Sequence, residues 1–278
     1  MKKKLWKSLA GLAILAGALT WYETGKNTDK ASDPKPEATE LVTSVSPSPD
    51  ALELPAPGNG RTVRHGAYIT SYNTETLIPN WVAYELTADE ASVRRERSDT
   101  QFRMDPDLHG CTQAMREDYS GSGWTKGHMM PAADAAFDTS SMEETYYLTN
   151  VCPQNETLNA GDWQYLEKKV RSWAQRYGSV WVVTGPIVGE NRYGTIGERD
   201  VTVPDSFFKA LLVRRDDGSW SAAAFVMDND DERYYLKDCV MTVDELEQIT
   251  GFDFFPALDD RVEEKVEATL RKQDWGIK

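Results

Sequence analysis

The spacing of apolar residues predicts a folded region that starts only after about sixty residues, with strands in runs and a few helices between them. At 68–72 and 81–86, short runs rich in β-branched and aromatic residues flank Asn73-Thr-Glu-Thr76 and Pro79-Asn80, predicting two strands and a turn-rich loop. The runs 145–149 and 180–184 read as strands. Those at 206–213 and 220–227 read as two more, split by the hairpin signal Asp216-Asp-Gly218. Trp163, Leu166, Val170, Trp173 and Tyr177 recur every three or four residues and predict a helix over 160–177, stopped by Gly178. Shorter helices are predicted just after Pro131, at 244–250 before Gly251, and at 260–272, whereas 88–120 reads mainly as loop. This order predicts an α+β domain rather than an alternating parallel sheet.

The ends sharpen that picture. Lys2, Lys3, Lys4 and Lys7 precede an uncharged run of 15 residues, 8–22, shorter than the roughly 20 needed to cross a bilayer. Residues 1–22 are therefore expected to be a signal peptide, or else an uncleaved membrane anchor, and the protein to be exported: periplasmic, cell-surface or secreted. Residues 23–60, rich in Pro, Ser, Thr and charge, are expected to be a disordered linker that carries no chemistry. This leaves 61–278 as the folded domain.

Charge complicates the choice of partner. The net charge is −14. Residues 61–130 hold eight basic and ten acidic side chains, and 131–278 sixteen basic and twenty-eight acidic ones, so no broad basic face is available for tight DNA packaging. A local cationic groove on an acidic body remains compatible with catalysis and salt-sensitive binding. Three cysteines, Cys111, Cys152 and Cys239, allow at most one disulfide. Cys152 reads as a buried core residue rather than a nucleophile.

Candidate chemistry sits in two clusters. The first is Lys126-Gly-His128 within Ser122–Asp134, the second the polar stretch from Leu148 to Glu167. Histidine, with an unperturbed pKa near 6.5, can take a proton from water at neutral pH. Lys126 can meet phosphate oxygens, and Gly127 is expected to let backbone approach a phosphate. Near the start of the predicted helix, Asn159 and Glu167 are expected along a similar side and offer the oxygen donors a hard cation such as Mg²⁺ prefers. The blander alternatives are that Asn159 caps the helix and Glu167 is a solvated acid. His65, His109 and His128 lack zinc-ligand spacing.

The segment Gly123-Trp-Thr-Lys-Gly-His-Met-Met-Pro-Ala-Ala-Asp134 resembles the Asp-Arg-Gly-His signature of the DNA/RNA non-specific endonucleases, the ββα-metal (His-Me finger) group. The blocks at 147–154 and 158–167 resemble that family's second motif, and the likeness continues at 80–84, 183–186, 203–209 and 241–251. It implies an α+β fold with a central antiparallel sheet flanked by helices. It implies His128 as general base, Asn159 as the direct protein ligand of Mg²⁺ (with Mn²⁺ as a substitute), Glu167 orienting water around the ion, and Asn150 holding His128 or the phosphate. An upstream arginine contacts phosphate in the family; Arg97 fits best, with Arg94 and Arg95 close by. Thr125 and Lys126 replace the family's Asp and Arg, which keeps a positive charge but loses the bidentate fork.

The function this implies is a Mg²⁺-dependent endonuclease that hydrolyses DNA and RNA without sequence preference, by attack of a His128-activated water. Its substrates would be DNA and RNA; a membrane tether and a homodimer are left open. Two other classes fit the same residues: a catalytically weak or silent nucleic-acid-binding module of the same fold, motivated by Thr125 and the acidic body, and a phosphodiesterase of small nucleotides.

Overall fold

A computed structural model of the chain describes residues 52–55, 60–96 and 99–278. The expected N-terminal segment 1–22, nearly all of the 23–60 linker, and Arg97 lie outside the described residues. No helix among the described residues is long and apolar enough to cross a membrane.

In chain order the strands are β1 (Arg61–Arg64), β2 (Ile69–Asn73), β3 (Ile78–Thr87), β4 (Thr125–His128), β5 (Val151–Gln154), β6 (Ser179–Ile187), β7 (Thr195–Ile196), β8 (Val201–Thr202), β9 (Ser206–Arg214), β10 (Trp220–Asp228) and β11 (Val240–Met241). The helices are α1 (Ala88–Ser92), α2 (Thr139–Glu144), α3 (Glu156–Leu158), α4 (Gln164–Tyr177), α5 (Leu236–Cys239), α6 (Val243–Thr250) and α7 (Asp260–Glu267). Seven strands form one sheet in the order β1-β2-β3-β6-β9-β10-β11, and every neighbouring pair is antiparallel. The expected α+β architecture around a central antiparallel sheet is thus observed.

Strand β9 shows why the sheet sits in the middle. Phe207, Leu211 and Val213 join one apolar cluster, while Phe208, Ala210 and Leu212 join another. Successive side chains of a strand point to opposite faces, so both faces of β9 are covered. The first cluster takes Leu166, Val170 and Trp173 of α4, together with Met129, Val151 and Trp163. The second takes Val243 and Leu246 of α6, Val266 of α7, and Phe254, Phe255 and Leu258 between them.

Several expected elements move. The run 145–149 is a turn leading into a 3₁₀ segment, Leu148–Asn150, and the strand follows at β5. Pro131 opens a series of turns, and the helix starts only at Thr139, where the Asp138 carboxylate caps the Ser141 N–H at 2.7 Å. Pro79, read as turn, lies in β3 opposite Tyr72, where a β-bulge interrupts the ladder and relieves the missing N–H donor. Helix α7 ends at Glu267, short of 272, and turns follow.

Candidate active site

His128 ends β4, a strand of four residues with no apolar alternation to announce it. It forms because it pairs antiparallel with β5, setting Thr125 opposite Gln154, Gly127 opposite Cys152 and His128 opposite Val151. At Gly127 the partner strand explains the residue. A Cβ there would lie 2.1 Å from Gln154 Oε1 and 2.6 Å from Gln154 Cβ, so the crossing side chain by itself requires glycine.

After β5 the chain turns into α3, whose N-cap is Asn155; its side chain accepts from the Thr157 and Leu158 amides. Asn159 is therefore not an N-cap; it ends α3 as its C-cap residue. It opens a wide turn, Asn159–Trp163, with π-helical hydrogen bonding and non-helical angles at Gly161 (φ −110°, ψ −105°), before α4 continues. Such π-turns inside helices occur frequently at functional sites. The Asn159 amide donates from Nδ2 to Thr125 Oγ1 at 3.0 Å, and Thr125 Oγ1 donates in turn to the Gln154 carbonyl at 2.8 Å. The threonine that stands in place of the family's aspartate thus tethers the helix to the hairpin.

The result is a cleft of about 650 Å³ that His128 and Asn159 line together with Thr125, Lys126, Phe102, Tyr146 and Arg116. The imidazole is nearly buried and held between two rings, Phe102 at 5.1 Å and Tyr146 at 5.2 Å, the latter edge-on. Lys126 lies with its ammonium 5.0 Å from the Tyr119 ring and 5.8 Å from that of Phe102. Burial, and then the neighbouring Arg116, hold its pKa below the ordinary lysine value. Arg116, exposed on the 3₁₀ segment Arg116–Tyr119 and hydrogen-bonded to Gln101, adds a second cation to the cleft wall.

Asn150 is fully buried. Its Oδ1 accepts from the Met130 amide at 2.9 Å, and its Nδ2 donates to the Met130 and Thr145 carbonyls at 2.9 and 2.8 Å. It fixes the backbone just beyond His128, so it positions the site and does not face a phosphate. Lys209, also fully buried, donates to the Met129 carbonyl at 3.2 Å and Thr184 Oγ1 at 3.1 Å, and sits 4.6 Å from the Trp163 ring. It joins β9 to both halves of the site. Burial lowers its pKa to about 8, against the opposing charges of Glu167 and Asp134. Asn229 holds the β5–α3 corner through the Asn155 amide (2.8 Å) and the Pro153 carbonyl (3.2 Å).

Glu167 is not among the residues that line the cleft. It is half-buried on α4, where its charge acts on Lys209, Arg171 and Tyr84. The expectation that it shares a side with Asn159 assumed an uninterrupted α-helix, whereas a wide turn with non-helical angles at Gly161 lies between the two residues. Arg97 lies outside the described residues. Arg94 and Arg95 are committed to backbone, Arg94 to the Ala91 carbonyl at 2.9 Å and Arg95 to that of Ala136 at 2.9 Å. Sequence reasoning missed Arg116, Phe102 and Tyr146, because the scattered charges and rings of 88–120 carry no periodic signal. Lys209 appeared only inside a block of likeness. Cys152 is fully buried, burial pushes its thiol pKa well up, and no disulfide forms among the described residues.

The donor set suits a hard divalent cation. With the Asn159 nitrogen engaged by Thr125, the oxygen is the acceptor end that remains, and no thiolate or second imidazole is among the lining residues. His65 belongs elsewhere: its Nε2 meets Asp105 Oδ2 at 2.9 Å in a buried pair that also takes the Thr149 hydroxyl at 2.6 Å.

A two-stranded hairpin carrying a histidine, followed by a helix that presents an amide into the same cleft, defines a ββα-metal site. Residues 49–261 match the family model described as DNA/RNA non-specific endonuclease, and the chain belongs to that family. It is 34% identical over 212 residues to mitochondrial nuclease EXOG of Mus musculus, covering 71% of this chain and 58% of the relative. It is 32% identical over 211 residues to mitochondrial endonuclease G of Homo sapiens, covering 72% of this chain and 71% of the relative. The structure of the EndoG/EndoGI complex matches with a TM-score of 0.69 and 26% identity, over 78% of this chain and 96% of that one. The chain spans a little over half the length of the EXOG relatives it matches. These findings also correct the expected location: the EXOG and endonuclease G relatives are mitochondrial by name, which overturns the exported, periplasmic, cell-surface or secreted assignment.

Proposed function

We propose that the chain is a Mg²⁺-dependent endonuclease that hydrolyses phosphodiester bonds of DNA and RNA without sequence preference. The single observation behind this reading is that His128 and Asn159, thirty-one residues apart in sequence, line one cleft with two cations, Lys126 and Arg116, on its walls. His128 serves as general base, taking a proton from the attacking water while Phe102 and Tyr146 fix its ring. Lys126 and Arg116 meet the non-bridging oxygens as negative charge gathers in the transition state. Asn159 supplies the amide oxygen to the cation, and Thr125 aims that amide. The cation, when bound, supplies charge neutralisation and help for the departing alkoxide. Mn²⁺ is expected to substitute. Asn150 and Lys209 act through the backbone beside His128, as positioning residues. Arg97 is retained in the proposal as a phosphate contact, on the resemblance alone.

The test is incubation of the chain with supercoiled plasmid and with a long RNA in Mg²⁺, with and without EDTA, beside His128→Ala. The expected outcome is EDTA-sensitive cutting of both polymers, reduced about 10²–10⁴-fold in the variant, the range typical for loss of a general base, with the melting temperature little changed. Cutting that survives in His128→Ala would overturn the assignment of the base. Absence of EDTA-sensitive cutting by the native chain would overturn the enzyme.

A further inference from the structure

On the face of the sheet opposite the cleft, α6 and α7 carry acids toward one another. Asp244 and Glu247 of α6 and Glu267 of α7 place carboxylate oxygens that all lie within 4.8 Å of one another. Two oxygens bound to one Ca²⁺ at 2.3–2.6 Å can be separated by at most about 5 Å, so this spacing is compatible with a shared ion. Glu263, one helical turn before Glu267, and Asp253, between the helices, add their charge to the same group.

Charge crowding alone would describe a solvated acidic surface. Glu267 departs from that description: it is only 5% exposed, and its Oε1 is sealed from solvent with no hydrogen-bond partner. Glu263 Oε1 is sealed in the same way. No lysine or arginine among the described residues forms an ion pair with any of the five acids. One acceptor is used: Glu247 Oε1 takes the Phe254 amide at 2.8 Å. A buried carboxylate without hydrogen bond or counter-charge is costly, and either a proton or a cation must relieve it. Leu246 and Val266, on the same two helices as these acids, belong to the apolar second cluster.

We propose that Asp244, Glu247 and Glu267, with Glu263 beside them, form a calcium-binding site that clamps α6 to α7, separate from the cleft. The donors are all oxygen, which selects a hard cation. Three or four carboxylates from the protein itself favour Ca²⁺, because Mg²⁺ keeps most of its waters and is usually held by one or two carboxylates.

The site is tested on the full chain, freed of calcium with EGTA and kept in Mg²⁺ throughout so that the cleft is not what responds. Adding CaCl₂ at a hundredfold excess over its dissociation constant is expected to raise the melting temperature by roughly 5 °C. Glu267→Gln should abolish the rise and melt no lower than the native chain in EGTA, because a neutral amide replaces a crowded acid. Its nuclease activity per folded molecule should be unchanged. Asp244→Asn, at a half-buried position, provides a second variant should Glu267→Gln fold poorly, and should also lose the rise. Asn159→Ala should keep it. No calcium response in the native chain, a response retained in both acidic-site variants, or one lost in Asn159→Ala each overturns the proposal.

Discussion

The two faces of the seven-stranded sheet are covered by different chemistry. On the cleft face, buried polar side chains are bound to backbone: Asn150 to Met130 and Thr145, Lys209 to Met129, Asn229 to Pro153 and Asn155. On the opposite face, Phe208, Phe252 and Phe254 meet at tilted and edge-on angles with centroids 5.6–6.4 Å apart, in the same apolar cluster as Leu246 and Val266. Hydrogen bonds are directional and a buried one left open is expensive, whereas apolar packing is sensitive to volume and indifferent to angle. The first face therefore adds directional geometry to its apolar packing, and the second relies mainly on packing. A side chain such as Lys209, which would be out of place among the phenylalanines, is acceptable beneath His128 because it finds two oxygens and the Trp163 ring.

A pair of variants would break this contrast if it is wrong. Phe254→Ala should cost about 3–5 kcal/mol, the usual range for emptying a buried phenylalanine site, while the rate per folded molecule stays native. Asn150→Ala leaves the Met130 amide and carbonyl and the Thr145 carbonyl unpaired in a dry interior, and each such group costs about 1–3 kcal/mol. Its stability loss should be of similar size, but the remaining folded molecules should also cut more slowly. The measurement is denaturant unfolding alongside specific activity in the native baseline. Equal specific activities would show that the polar network beside His128 does no positioning.

How much of this was legible beforehand follows the same division. Apolar periodicity revealed α4 through Trp163, Leu166, Val170 and Trp173, and the β9–β10 hairpin through Asp216-Asp-Gly218, since those signals arise from burial against the sheet. Strand β4 was invisible: Thr-Lys-Gly-His has no alternation, and its conformation is dictated by β5. His128 and Asn159 were found through the family's motif, and local propensity would have labelled them a loop histidine and a helix cap. The turn at Gly161, between Asn159 and Glu167, was not legible because a 3.6-residue period cannot anticipate it. The acids of α6 and α7 give no sequence signal of burial, and only their packing across sixteen or more residues of chain shows Glu267 to be buried.

The metal half of the cleft gives the next effect in size. Asn159→Ala removes the amide oxygen from the cleft while leaving His128, Lys126 and Arg116 in place. Cutting at a fixed low Mg²⁺ concentration should fall on the order of 10²-fold, as for loss of one preorganised polar group, and the Mg²⁺ concentration for half-maximal rate should rise. A lower rate at an unchanged Mg²⁺ requirement would mean that Asn159 shapes the cleft without holding the ion.

Thr125 sharpens the comparison most finely, since it acts one bond further out. Its hydroxyl accepts from Asn159 and donates to the Gln154 carbonyl, so a single oxygen ties the amide to the hairpin. Thr125→Val keeps the shape and removes that oxygen. Partners that orient a metal ligand typically contribute 10–100-fold in metal affinity, and here the half-buried setting and the remaining β4–β5 pairing place the effect at the low end, about tenfold. Stability should fall by only about 1 kcal/mol, the net value of an ordinary hydrogen bond. The decisive reading is the split between the two: Mg²⁺ titrations of the cutting rate should shift while the rate at saturating Mg²⁺ recovers to near native. Were the saturating rate to fall and the midpoint to hold, the threonine would be serving the histidine strand instead of the amide.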